Sequence, residues 1–156
     1  MVERLVLDTI YLLPLFGVDV GLKRFAGYFP RVLDGFEVWF NPVSLVEAKW
    51  VVLRLLRRDP SRREVLLLRF RRGLEALMLD ERFRQTVLTN AAVEEVADRL
   101  LGLGVEDYFD RMIYATAVYY DAVLLTEDEE LHRAAELEGA PRLKGVVCWE
   151  ELLREL

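Results

Sequence analysis

The chain has 156 residues, 53% of them hydrophobic and 31% charged, enough to bury a sizeable core over one expected domain, residues 1–156, and too apolar for a disordered chain. No stretch approaches the roughly 20 uninterrupted apolar residues of a membrane span, and the lone Cys148 excludes an internal disulfide or a cysteine-based zinc site. A net charge of −6 argues against a polyanionic partner until its distribution is read: between Arg54 and Arg84 ten arginines face five acids, while acids gather near residues 94–110 and 127–138. The expectation is a soluble, cytoplasmic protein with no membrane partner.

In chain order, Leu5-Val6-Leu7 is a continuous apolar run ending at Asp8, the pattern of a strand covered on both faces. Ile10 to Pro30 is ambiguous, because Pro14 and Gly17 interrupt the apolar cluster of Leu12, Leu13, Leu15 and Phe16. Val38-Trp39-Phe40 reads as the second strand. Ser44 to about Arg58 has helical spacing, with Val46, Trp50, Leu53 and Leu56 on one stripe, and Ser44 and Glu47 form a capping box at its start. Pro60 ends it, and a second helix runs from about Ser61 to Leu79. Val87-Leu88 is the expected third strand. Helices follow at Asn90–Leu101 and Asp107–Tyr120, separated by the Gly102-Leu103-Gly104 stop. Val123-Leu124-Leu125 and Val146-Val147 supply two more strands, flanking a helix from Glu127 to about Leu137, and Trp149–Leu156 closes the chain. Strands alternating with helices predict a three-layer α/β/α sandwich around a mainly parallel sheet of about five strands.

In such a sheet ligands bind beyond the carboxyl ends of the strands. Asp8 and Asp128 stand after strands, and Glu47 and Asp110 stand near the starts of helices, so all four point toward one sheet edge. Taken singly, each also suits helix capping or the positive end of a helix. Taken together, four converging carboxylates repel one another unless a cation neutralises them, and oxygen-only ligands suit Mg²⁺ or Mn²⁺. Asp107, one turn before Asp110, can add to the set or replace it. His132 is expected at the surface, Cys148 as a buried small hydrophobe, and Tyr108, Tyr114, Tyr119 and Tyr120 in a core or interface.

Four segments in order carry a resemblance. Leu5-Val6-Leu7-Asp8-Thr9, Ser44-Leu45-Val46-Glu47, the Asp110–Ala117 run Asp-Arg-Met-Ile-Tyr-Ala-Thr-Ala, and Leu124-Leu125-Thr126-Glu127-Asp128 resemble the motifs of PIN-domain ribonucleases of the VapC-like type. Tyr114-Ala115 departs from the Ala-Ala usual in the third motif. The resemblance implies a Mg²⁺- or Mn²⁺-dependent endoribonuclease in which Asp8, Asp110, Asp128 and Glu47 bind metal and Thr9 and Thr126 orient them. It also implies the toxin of a toxin–antitoxin pair, an antitoxin protein partner and a homodimer. The alternative is a catalytically inactive PIN-like module for RNA binding or assembly. Arginines of the 54–72 stretch, Arg62, Arg63, Arg71 and Arg72 above all, are expected to bind the RNA backbone.

Overall fold

The computed structural model describes residues 2–156. Strand β1 (Arg4–Leu7) leads through two 3₁₀ turns (Thr9–Tyr11, Leu13–Phe16) and helix α1 (Phe25–Gly35) to β2 (Glu37–Phe40). Helices α2 (Val43–Arg58) and α3 (Arg63–Leu79), joined by a 3₁₀ turn at Pro60–Arg62, precede β3 (Phe83–Gln85). Then come α4 (Ala91–Gly102), α5 (Tyr108–Tyr119), β4 (Val123–Leu125), α6 (Glu129–Glu136), β5 (Gly145–Val147) and α7 (Trp149–Glu155).

The five strands form one parallel sheet in the order β3-β2-β1-β4-β5, with Leu5 opposite both Val38 and Val123. From β1 the chain steps outward to β2 and β3, then returns past β1 to β4 and β5. Right-handed crossovers place helices on one face during the outward steps and on the other during the return. The side chains follow this rule. Leu5, Leu7, Val38, Phe40 and Leu125 pack with α1, α2 and α3, while Val6 and Leu124 pack with α4, α5 and α6. Every central strand is therefore apolar on both sides, the physical reason for its unbroken hydrophobic run. The strand order reverses between β1 and β4, so a crevice opens beyond their carboxyl ends.

The ambiguous early segment becomes two 3₁₀ turns, the first against α2 and the second wedged against α3. Gly73 makes that approach work, since a Cβ there would lie 2.2 Å from the Leu15 carbonyl oxygen. Pro30 lies inside α1, a helix that no expected element covered.

Three expectations need correction. The third strand is Phe83–Gln85 and not Val87-Leu88, whose side chains are exposed. Its polar residues Arg84 and Gln85 are tolerated because β3 is an edge strand, bonded on one side only. No capping box forms at Ser44: α2 already begins at Val43, and the Asn41 carbonyl Oδ1 accepts the Val43 backbone N–H at 2.8 Å in its place. The face that α2 buries is Ser44, Ala48 and Val52, leaving Val46, Trp50 and Leu53 exposed at 49%, 57% and 38%.

Candidate metal centre

Asp8 leaves β1 at the centre of the sheet, and its backbone N–H donates to Leu125 O of β4 at 3.0 Å. Its Oδ1 accepts from the Thr9 backbone N–H at 2.7 Å, capping the first 3₁₀ turn, and its Oδ2 accepts from the Thr126 hydroxyl at 2.5 Å. Thr126, fully buried after β4, accepts in turn from the Asp128 N–H at 3.0 Å. Asp128 caps α6 by accepting from the Glu130 N–H at 2.8 Å. One threonine hydroxyl thus links the two strand-end aspartates across the switch point. His132, expected at the surface, is half-buried, and its Nε2 lies 2.8 Å from the Thr126 carbonyl. Cys148 is partly exposed and not the buried hydrophobe expected.

The other carboxylates arrive on helices. Glu47 stands one turn inside α2, Asp107 caps α5 by accepting from the Asp110 N–H at 3.2 Å, and Asp110 follows in the first turn. Carboxylate oxygens of Glu47, Asp107 and Asp110 all lie within 4.8 Å of one another. Two residues to which the sequence alone assigned no role hold this group in place. Buried Asn41 donates its amide to Leu88 O at 3.0 Å and to Thr116 Oγ1 at 2.8 Å, tying the start of α2 to α5. Buried Arg111 donates to Val105 O and Glu106 O, fixing the segment that leads into Asp107. The asparagine before Pro42 was the available signal, since a polar residue at a strand end ahead of a helix is a cap.

Charge here is held at a cost. Burial, then the negative charges of Asp107, Asp8, Asp128 and Glu47, push Asp110 up to about 8. Burial, then Asp8 and Asp107, push Glu47 up to about 7, with the Thr9 hydroxyl and Arg54 pulling the other way. Asp8 is raised above the usual carboxylate range by burial, its hydrogen bonds from Thr126 and Thr9 opposing this. Glu47, Asp107 and Asp110 form the close group, and Asp8 and Asp128 stand near enough for their charges to raise Asp110.

The donor set fits a hard divalent cation: it is oxygen only and anionic, with no histidine or thiolate among its members. Beside Glu47, the buried Thr9 Oγ1 makes no hydrogen bond of ordinary geometry, so a polar group is left facing the same point. A cavity of about 630 Å³ opens from Glu47, Asp107 and Asp110 and is walled by Trp50, Leu53, Arg54, Arg57 and Phe109. The expected arginines do not line it: Arg63 and Arg71 border a separate hollow with Glu64, Leu67 and Leu68. The tyrosines also lie elsewhere. Tyr114 is fully buried and donates to Pro141 O at 2.9 Å, Tyr120 packs on Trp39, and Tyr108 donates to Glu94.

Among known proteins, the PIN-domain family model matches residues 5–137, and the chain belongs to that family. No curated protein matches the sequence. Solved structures share the fold at low identity. One is that of VapBC2 from Rickettsia felis bound to a promoter DNA fragment, with TM-score 0.64, 12% identity and coverage of 94% of this chain and 99% of that one. PAE2754 from Pyrobaculum aerophilum has TM-score 0.61 at 19% identity, covering 99% of this chain and 94% of the other. FitAcB from Neisseria gonorrhoeae has TM-score 0.60 at 20% identity, covering 85% and 94%. Among the described residues, no helix is long and apolar enough to cross a membrane.

Proposed function

We propose that the chain is a divalent-metal-dependent endoribonuclease and the toxin of a toxin–antitoxin pair. The observation that supports this most is the convergence of the Glu47, Asp107 and Asp110 carboxylates beside the strand-end aspartates Asp8 and Asp128, with Glu47 and Asp110 raised toward neutral pH by burial and mutual repulsion. Asp8, Asp110 and Asp128 would hold Mg²⁺ or Mn²⁺, with Glu47 and Asp107 completing the set. Such an ion, when bound, supplies an acidified water and neutralises charge on a phosphodiester.

The remaining work falls to the chain's own groups. Thr126 and Thr9 fix the orientation of Asp8 through hydrogen bonds to its two oxygens. Glu47, at the cavity wall, holds the attacking water and accepts its proton, a task for which a carboxylate near neutral pKa is suited. Arg54 and Arg57 engage phosphate oxygens; among the described residues neither forms an ion pair, so both guanidinium groups are free to do so. This moves the RNA contact from Arg62, Arg63, Arg71 and Arg72 to the last turns of α2. The toxin role, with an antitoxin partner and a homodimeric state, draws on the family and on neighbours solved as VapBC2 and FitAcB.

The test is cleavage of single-stranded and structured RNAs with Mn²⁺, with EDTA, and by Asp8→Asn. Metal-dependent cleavage that falls about 10²–10³-fold or more in the variant is expected. Cleavage that survives EDTA, or that Asp8→Asn leaves intact, would overturn the assignment.

A further inference from the structure

Glu127 lies between Thr126 and Asp128, yet it turns away from the carboxylate group. Its Oε1 accepts two hydrogen bonds at once, from the Tyr11 hydroxyl at 2.5 Å and from the Trp149 backbone N–H at 2.6 Å. Tyr11 ends the 3₁₀ turn that Asp8 caps, and Trp149 opens α7. One oxygen therefore joins three chain segments: the turn after β1, the loop after β4 and the helix after β5.

The surroundings make this junction stiff. Trp149 is buried, donates its indole N–H to Lys23 O at 2.8 Å, and packs against Phe25 with ring centroids 5.0 Å apart. Tyr11, fully buried, lies 6.3 Å from both rings. Burial and the neighbouring Glu127 carboxylate raise the Tyr11 hydroxyl above its ordinary pKa, so it stays a donor. The family match ends at residue 137, so Trp149 ties a segment beyond the matched region into the site.

We propose that Glu127 is a positioning residue for the metal-binding aspartates, holding the Asp8 turn and the Asp128 loop in register against α7. This rests on the metal-dependent reading above. Groups that orient metal ligands from behind typically change metal affinity 10–100-fold when removed. A residue that merely held the fold together would lower the melting temperature and leave affinity for the ion as it was.

The experiment is Mn²⁺ titration of the full chain by calorimetry, with circular dichroism for folding, on wild type, Glu127→Ala, Glu127→Gln and Tyr11→Phe. Glu127→Ala should raise the Mn²⁺ Kd about 10–100-fold. Glu127→Gln, whose amide oxygen accepts from the same two donors, should restore it to within about threefold of wild type, because the hydrogen bonds and not the charge are what matter. Tyr11→Phe loses one of the two bonds and should fall between. Wild-type affinity in Glu127→Ala, or equal losses in the Ala and Gln variants, would overturn the proposal. Should Glu127→Ala fail to fold, wild-type affinity in Tyr11→Phe overturns it instead. A wild-type chain that binds Mn²⁺ but cuts no RNA would sink the ribonuclease reading alone, and the titrations would still decide the role of Glu127. A wild-type chain that takes up no Mn²⁺ sinks both.

Discussion

The two halves of the carboxylate group are built in opposite ways. Asp8 and Asp128 sit where strands end, and every bond that orients them comes from the chain: Thr9, Thr126 and Glu130 occupy their oxygens or backbone groups at 2.5–3.0 Å. Glu47 and Asp110 come in on helices and have no such bonds to their carboxylates of ordinary geometry; what defines them is burial beside like charges. One half is organised before any ion arrives, and the other is organised by repulsion that an ion relieves. The lesson is that preorganisation and charge storage in one site can be divided between strand ends and helix starts.

The sharpest way to break this contrast is Thr126→Val, which keeps the shape but removes the hydroxyl that bridges Asp8 and Asp128. Mn²⁺ affinity measured by calorimetry should drop about 10–100-fold; a drop below twofold would mean the closed half is not organised by that bond. Next comes the cavity wall. Reversing Arg54 and Arg57 to Glu in the Asp8→Asn background should weaken RNA binding about tenfold in filter binding at low salt and flatten its salt dependence. The same reversal at Arg63 and Arg71 should do less, because these residues border a different hollow.

Two further measurements address the open half. Asp110→Asn removes a buried charge that its neighbours repel, so the metal-free protein should melt about 2–4 °C higher, the shift that accompanies about 1 kcal/mol in a chain of this size. A lower melting point would show that the repulsion is already relieved in the free protein. The pH dependence follows from the same groups. Glu47 and Asp110 bind protons more tightly when folded, near 7 and 8, than such side chains ordinarily do at 4.5 and 3.8. Between about pH 4 and 8 the folded state therefore holds more protons than the unfolded one, and stability declines as pH rises. Melting of the metal-free chain at pH 5.5 and pH 8 should show this decline, and saturating Mn²⁺ should reduce it. A metal-free melting point that rises between those pH values would contradict it.

The same division explains what could be read from the sequence. Asp8 and Asp128 were legible because the apolar strands before them were, and a buried parallel strand announces itself in a continuous hydrophobic run. Glu47 stands out in the sequence by its place near a helix start and by the family motif, and the capping box that would have given it a purely structural role does not form, since Asn41 and not Ser44 caps the helix. The face of α2 was misread because Val46, Trp50 and Leu53 form a helical apolar stripe that the structure leaves exposed, Trp50 and Leu53 at the cavity wall, while small residues such as Ala48 face the core. Periodicity identifies an apolar face without saying what covers it. The third strand escaped because an edge strand with one bonded side needs little hydrophobicity. The roles of Asn41 and Glu127 were missed because each acts through a distant partner: Asn41 meets Thr116 across 75 residues and Glu127 meets Tyr11 across 116.

The pairing of β1 with β4 also governs when the site can exist. Thr126 and Asp8 are 118 residues apart in sequence yet share a hydrogen bond. During synthesis at about 5–20 residues per second, roughly 6–24 s pass between the emergence of the first aspartate and its partner. Through that interval the nascent chain carries Asp8 and Glu47 with nothing to close the ring. A chain released early by the ribosome, before β4, lacks Thr126 and Asp128, so the topology itself couples the appearance of the acidic centre to the translation of β4.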